Sequence, residues 1–84
     1  MTIQELRQHQ IVVQDPEIDR TEYDAVMNRL RELGDDIWAG DDEIPAKTIV
    51  FDDDEGGEWM SLHNTYSYIP TLTFDQFMNL EIEK

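Results

Sequence analysis

Apolar residues recur at helical spacing most clearly at Tyr23, Val26, Met27, Leu30 and Leu33, one stripe of a helix over about residues 20–33. Thr21 with Asp24, or Asp19 with Glu22, suits a capping pattern at its start. Arg29 and Arg31 complement the dipole near its far end, and Gly34 follows as a left-handed cap. Ahead of it, residues 10–14 read as a short strand built on Ile11, Val12 and Val13, broken by Asp15-Pro16. Residues 2–8 fit a short helix opened by Thr2 and Glu5, a frayed end, or an extension of that strand.

Beyond the helix, residues 35–46 read as a loop with one aromatic anchor, Trp38. Residues 48–51 are β-branched and aromatic. Residues 59–63 alternate, with Trp59, Ser61 and His63 on one face against Met60 and Leu62. The acidic, turn-rich stretch between them ends in Gly56-Gly57, so the two strands form a hairpin. Residues 66–69 add an extended piece before Pro70. Thr73 with Gln76 suits a capping box for a closing helix carrying Phe74, Phe77 and Met78. The pattern predicts an α+β fold: one main helix packed on a short, mostly antiparallel sheet, with a short C-terminal helix.

Length changes this picture little: 84 residues make a single acidic α+β domain, 1–84, with no repeat or flexible linker. The domain is small enough that Trp38 and Trp59 are expected to complete its core rather than serve as interface anchors. Cysteine is absent, which excludes disulfides, thiol catalysis and cysteine-based zinc sites, and favours a cytoplasmic location. The first 14 residues lack the basic and apolar regions of a signal peptide, and no apolar run is long enough to span a bilayer.

Charge changes the picture most. Twenty acids face six Lys and Arg, a net charge of −14, where about 2–8 keeps a small domain soluble. Residues 34–58 hold ten acids and one base, net −9: Asp35, Asp36, Asp41, Asp42, Glu43, Asp52, Asp53, Asp54, Glu55 and Glu58. Such a chain repels nucleic acid and anionic membranes and attracts basic protein surfaces, which commonly exist to hold nucleic acid. Arg20, Arg29 and Arg31 are expected to pair with neighbouring carboxylates rather than form a basic stripe.

Catalytic and metal chemistry find little support. An EF-hand reading from Asp52 puts Gly56 at the fifth ligand position and His63 where the bidentate Glu belongs. His9 and His63 lie in no zinc-ligand spacing. Ser61 and His63 share a strand face, yet nothing signals an oxyanion hole or a nucleophile turn. Gly56-Gly57 lies among acids that repel phosphate. The chain is expected to be non-enzymatic, with no cofactor and no metal.

The residues EYDAVMNRLRELGDDIWAG, then Thr73-Phe74-Asp75-Gln76-Phe77, carry Leu33-Gly34, Trp38-x-Gly40 and a closing Phe-containing helix. This pattern resembles small acidic accessory proteins of tailed bacteriophages. The resemblance implies a protein acting on a host machine in the bacterial cytoplasm, in the manner of acidic phage proteins that resemble DNA and block host enzymes. It carries over no catalytic residue.

Alternate carboxylates on an extended strand lie about 6.6 Å apart, near the spacing of phosphates along a nucleic-acid strand. Taken with such a field, the resemblance implies inhibition or modulation of a host nucleic-acid-handling protein: an RNA polymerase, a restriction nuclease or a CRISPR-type nuclease. The ten acids of residues 34–58 would present a DNA-like surface, with Tyr66 and Tyr68 as anchors. The alternative is an adaptor that docks through an apolar patch or sheet edge, its acidity serving solubility alone. Direct nucleic-acid or membrane binding is not expected, and oligomeric state is left open.

Overall fold

A computed structural model describes residues 1–41, 43–54 and 56–83. Thr2 opens α1 (Ile3–Leu6): its hydroxyl accepts from the Glu5 N–H at 3.2 Å, and the Glu5 carboxylate accepts from the Thr2 N–H at 3.1 Å. This reciprocal pair satisfies two amides that a helix start leaves without partners, and resolves the three readings of this segment in favour of a helix. Strand β1 (Gln10–Val12) follows, then α2 (Thr21–Glu32).

The start of α2 differs in detail from both capping patterns. Asp19 accepts from the Thr21 N–H at 2.9 Å and from the Thr21 hydroxyl at 2.7 Å. Glu22 turns away from Asp19 and takes the Gln14 N–H at 2.9 Å, fastening the end of β1 to the helix. At the far end Gly34 adopts φ 90°, and the Asp35 N–H returns to the Leu30 carbonyl at 3.2 Å. Only glycine takes that left-handed conformation without Cβ strain.

The remaining elements are β2 (Asp36–Ile37), β3 (Thr48–Asp52), β4 (Glu58–Leu62), β5 (Thr71–Thr73) and α3 (Phe74–Met78). The α+β fold is as the pattern predicts, and its sheet is mixed, in the order β2-β4-β3-β1-β5. The antiparallel centre, β1-β3-β4, contains the expected hairpin. Each edge adds a parallel strand that the sequence pattern does not announce: β2 beside β4, inside the expected loop, and β5 beside β1, just after Pro70. Residues 66–69, read as extended, instead form a turn. The capping box of α3 forms as the sequence indicates, between Thr73 and Gln76.

Strand alternation sorts the side chains. Ile11, Ile49, Phe51 and Trp59 face inward and meet the α2 stripe of Tyr23, Val26, Met27 and Leu30, joined by Leu6 and Phe77. Trp59 meets Phe51 edge-on, with ring centroids 5.4 Å apart. The opposite face carries Thr48, Val50 and Asp52 on β3 against Leu62, Met60 and Glu58 on β4. One end of that face is covered. There Thr65 hydrogen-bonds Thr48 at 2.9 Å, and the buried Gln10 amide organises the following turn. Its nitrogen donates to the Tyr66 and Ile69 carbonyls and to the Thr71 hydroxyl, and its oxygen accepts from the Tyr66 N–H at 3.0 Å.

Gln10→Leu keeps the bulk of the side chain and strands these backbone groups. We expect a loss of about 2 kcal/mol, read as a lower urea midpoint at unchanged denaturant slope. An unaltered midpoint would mean that the turn holds itself.

An acidic row and an aromatic groove on the open sheet face

The acids of residues 34–58 divide into two groups. Asp35 and Asp41 are buried, so their carboxylates are not presented to a partner. Asp35 receives the Arg7 guanidinium at 2.6 and 3.1 Å and the Trp59 indole N–H at 2.9 Å. Burial pushes its carboxyl pKa up, but the hydrogen bonds from Arg7 and Trp59 and the Arg7 charge outweigh this, leaving it below the usual aspartate range. Asp41 lies under the turn after Trp38, where its backbone carbonyl accepts from the buried Tyr23 hydroxyl at 3.0 Å. These two acids are therefore part of the interior, a correction to their placement on a binding surface. Asp42 and Glu55 lie outside the described residues.

The outward group has an order that the sequence does not display. In the sheet register Asp36 stands opposite Glu58, and Glu58 stands opposite Asp52. Three carboxylates thus line up across β2, β4 and β3, with about 4.8 Å between strands. Like charges directly opposite one another destabilise a sheet; at about 5 Å each contact costs up to about 0.8 kcal/mol in a water-like dielectric. Among the described residues no ion pair offsets the row. Asp53 and Asp54 continue it past the end of β3. The carboxylate oxygens of Asp52, Asp53 and Asp54 come within 4.8 Å of one another, and the Asp54 N–H donates to Asp52 at 3.0 Å. Glu43 is exposed on the turn beyond Gly40. The field therefore runs across strands rather than along one.

Arg7, Arg20 and Arg29 are engaged away from this row. Arg7 is held by Asp35 and lies 4.8 Å from the Phe51 ring centroid. Arg20 pairs with Asp24 at 3.3 Å, as expected. Arg29 departs from expectation: its guanidinium donates to the Phe77 and Leu80 carbonyls and stacks on the Phe77 ring. Carbonyls freed at the end of α3 offer it a better-placed negative pole than a surface carboxylate does. Arg31 meets the Asn28 side chain at 3.4 Å.

Trp38 also departs from expectation. Trp59 is fully buried, whereas Trp38 is 46% exposed. Alternation along β2 explains the difference: Ile37 pairs with Trp59 and faces inward, so Trp38 emerges on the acidic face. It lines a groove of about 420 Å³ with Asp52, Glu58 and Met60. Its ring rests on Gly40, where an added Cβ would sit only 2.6–2.9 Å from three indole carbons. Gly40 is not among the glycines at positive φ, so its lack of a side chain serves clearance rather than backbone conformation. Trp38-x-Gly40 is the sequence trace of this seat, and its meaning requires knowing that the indole folds back over it.

Tyr66 and Tyr68 form a tilted pair, centroids 5.5 Å apart, on the turn at the covered end of the face. Tyr68 is 79% exposed and Tyr66 half-buried. The acidic row lies toward the Asp52 end of β3, and the tyrosine turn bonds Thr48 at its other end, about 14 Å away along the strand. Ser61, the nucleophile weighed from the sequence, is buried and accepts the Ala46 N–H at 3.2 Å, while His63 is exposed. No helix among the described residues is long and apolar enough to cross a membrane. No protein-family model, curated protein or solved structure matches the chain.

Proposed function

We propose that the protein is a non-enzymatic binding domain that engages the basic surface of a host nucleic-acid-handling protein, such as an RNA polymerase or a restriction or CRISPR-type nuclease, and so inhibits or modulates it. The observation that carries this reading is the registered row Asp36-Glu58-Asp52, extended by Asp53 and Asp54, with no ion pair to it among the described residues. A sheet gains nothing in stability from such a row. A partner bearing Arg and Lys would relieve its repulsion on binding, so the row favours association with cations and disfavours phosphates. The net charge of −14 adds long-range steering toward the same class of surface.

A second reading, the adaptor, is favoured by the exposed apolar side chains of Trp38, Ile44 and Tyr68. One experiment separates the two. Tagged protein is used to retrieve partners from bacterial lysate, and each partner is then challenged with rising salt and with duplex DNA. The acidic-surface reading expects one dominant nucleic-acid enzyme that duplex DNA displaces, with affinity falling at least tenfold between 50 and 300 mM salt by counterion and screening effects of about this size. A partner indifferent to both salt and DNA would replace it with the adaptor.

A further inference from the structure

We infer that the groove lined by Trp38, Met60, Asp52 and Glu58 is a seat for one arginine side chain of a partner protein. The inference rests on the reading above for its class of partner, and adds the place and chemistry of the contact. Three observations converge. The groove has an apolar wall, Trp38 and Met60, against an acidic one, Asp52 and Glu58, with Asp36 next in the row. The indole is half exposed in a domain whose other tryptophan is fully buried. Its orientation is set by Gly40, where any side chain would push the ring out of place.

A guanidinium group fits each part. Its plane stacks on an aromatic face, its fork meets carboxylates two at a time, and its methylene stem lies along apolar groups such as the Met60 side chain. Lysine offers the charge and the stem but neither the plane nor the fork. A nucleobase could stack on Trp38, but its phosphates would meet the acidic row. A second copy of the chain, related by two-fold symmetry, would bring the row against itself.

The test uses ¹⁵N-labelled protein, whose two indole N–H signals belong to Trp38 and Trp59, titrated at low salt with a capped tetra-arginine peptide. We expect the Trp38 signal to shift saturably while that of Trp59, held by Asp35, stays. Trp38→Leu, which keeps apolar bulk without a π face, should weaken binding about tenfold, and Trp38→Phe by less than about threefold. Gly40→Ala should behave as Trp38→Leu does while melting within a few degrees of the wild type. If Gly40→Ala fails to fold, the Leu and Phe variants carry the comparison.

A peptide that moves only the amides around Asp53 and Asp54, or that binds Trp38→Leu as tightly as the wild type, would overturn the seat and leave the acidic surface as a diffuse attractor. A Trp38 signal that shifts with protein concentration alone would assign the groove to self-association instead. The seat and the proposed function fail separately. A DNA-displaceable partner that ignores Trp38→Leu retains the function without the seat. Arginine capture without any DNA-displaceable partner retains the seat without the function.

Discussion

Asp35→Ala is expected to lower the melting temperature by about 15 °C. The aspartate ties together α1, the end of α2 and the hairpin: Arg7 comes from just past α1, and Trp59 from the centre of β4. Removing it strands the Trp59 N–H in the interior, at about 1–3 kcal/mol. It also removes the partner of a guanidinium that is 35% exposed, so water and salt reclaim much of that second loss. Together these amount to roughly 3 kcal/mol, or about 12–24 °C in a domain of this size. Asp35→Asn, which can still accept from Trp59, should lose about half as much.

The pH dependence has a definite sign. The folded carboxyl is held below its unfolded value, which is about 3.9. Its contribution is thus complete above that value and disappears as pH falls through the lower, folded one. The gap in stability between wild type and Asp35→Asn should therefore stay constant from pH 7 to about 5 and close below about 4. Thermal melts across that range check it. A gap that widens on acidification would mean that burial, rather than Arg7, governs this group.

The triple variant Asp36→Asn, Asp52→Asn, Glu58→Gln should move stability and binding in opposite directions. Its net charge falls from −14 to −11, and two directly opposed carboxylate contacts vanish. We expect stability to rise by about 1 kcal/mol, a melting temperature about 5 °C higher, and a weaker dependence of melting on added NaCl. Affinity for a basic partner should fall about a hundredfold at low salt, from the loss of several close charge pairs. A variant that melts lower than the wild type would show that the row stabilises the fold rather than costing it stability. One that melts higher and still binds would move the contact elsewhere on the surface.

What the sequence discloses follows from the range of each interaction. Helix α2, the capping box of α3 and the hairpin depend on residues a few positions apart, and all three are legible as periodicity, caps and turn chemistry. Strands β2 and β5 are two and three residues long and pair in parallel with distant segments, so nothing local distinguishes them from loop. The site divides in the same way. That residues 34–58 concentrate acid is plain from composition. Which acids share a face depends on the register of β2 with β4, and which turn inward depends on partners such as Arg7, 28 residues from Asp35. Trp38 and Trp59 are alike as residues. Their opposite fates come from the parity of a two-residue strand and from a glycine two positions beyond Trp38.

That division of the two tryptophans gives the molecule a pair of optical gauges. Trp59 is shielded from solvent, and its N–H bonds to a carboxylate that is present only in the assembled core. Its emission therefore follows unfolding and is screened from aqueous quenchers until the core opens. Trp38 meets water beside the acidic row. An anionic quencher such as iodide is repelled there by the surrounding charge, while a cationic one such as caesium is concentrated by it. The ratio of the two quenching constants reads the local potential over the open face directly, and any partner that covers that face would bring the ratio back toward unity.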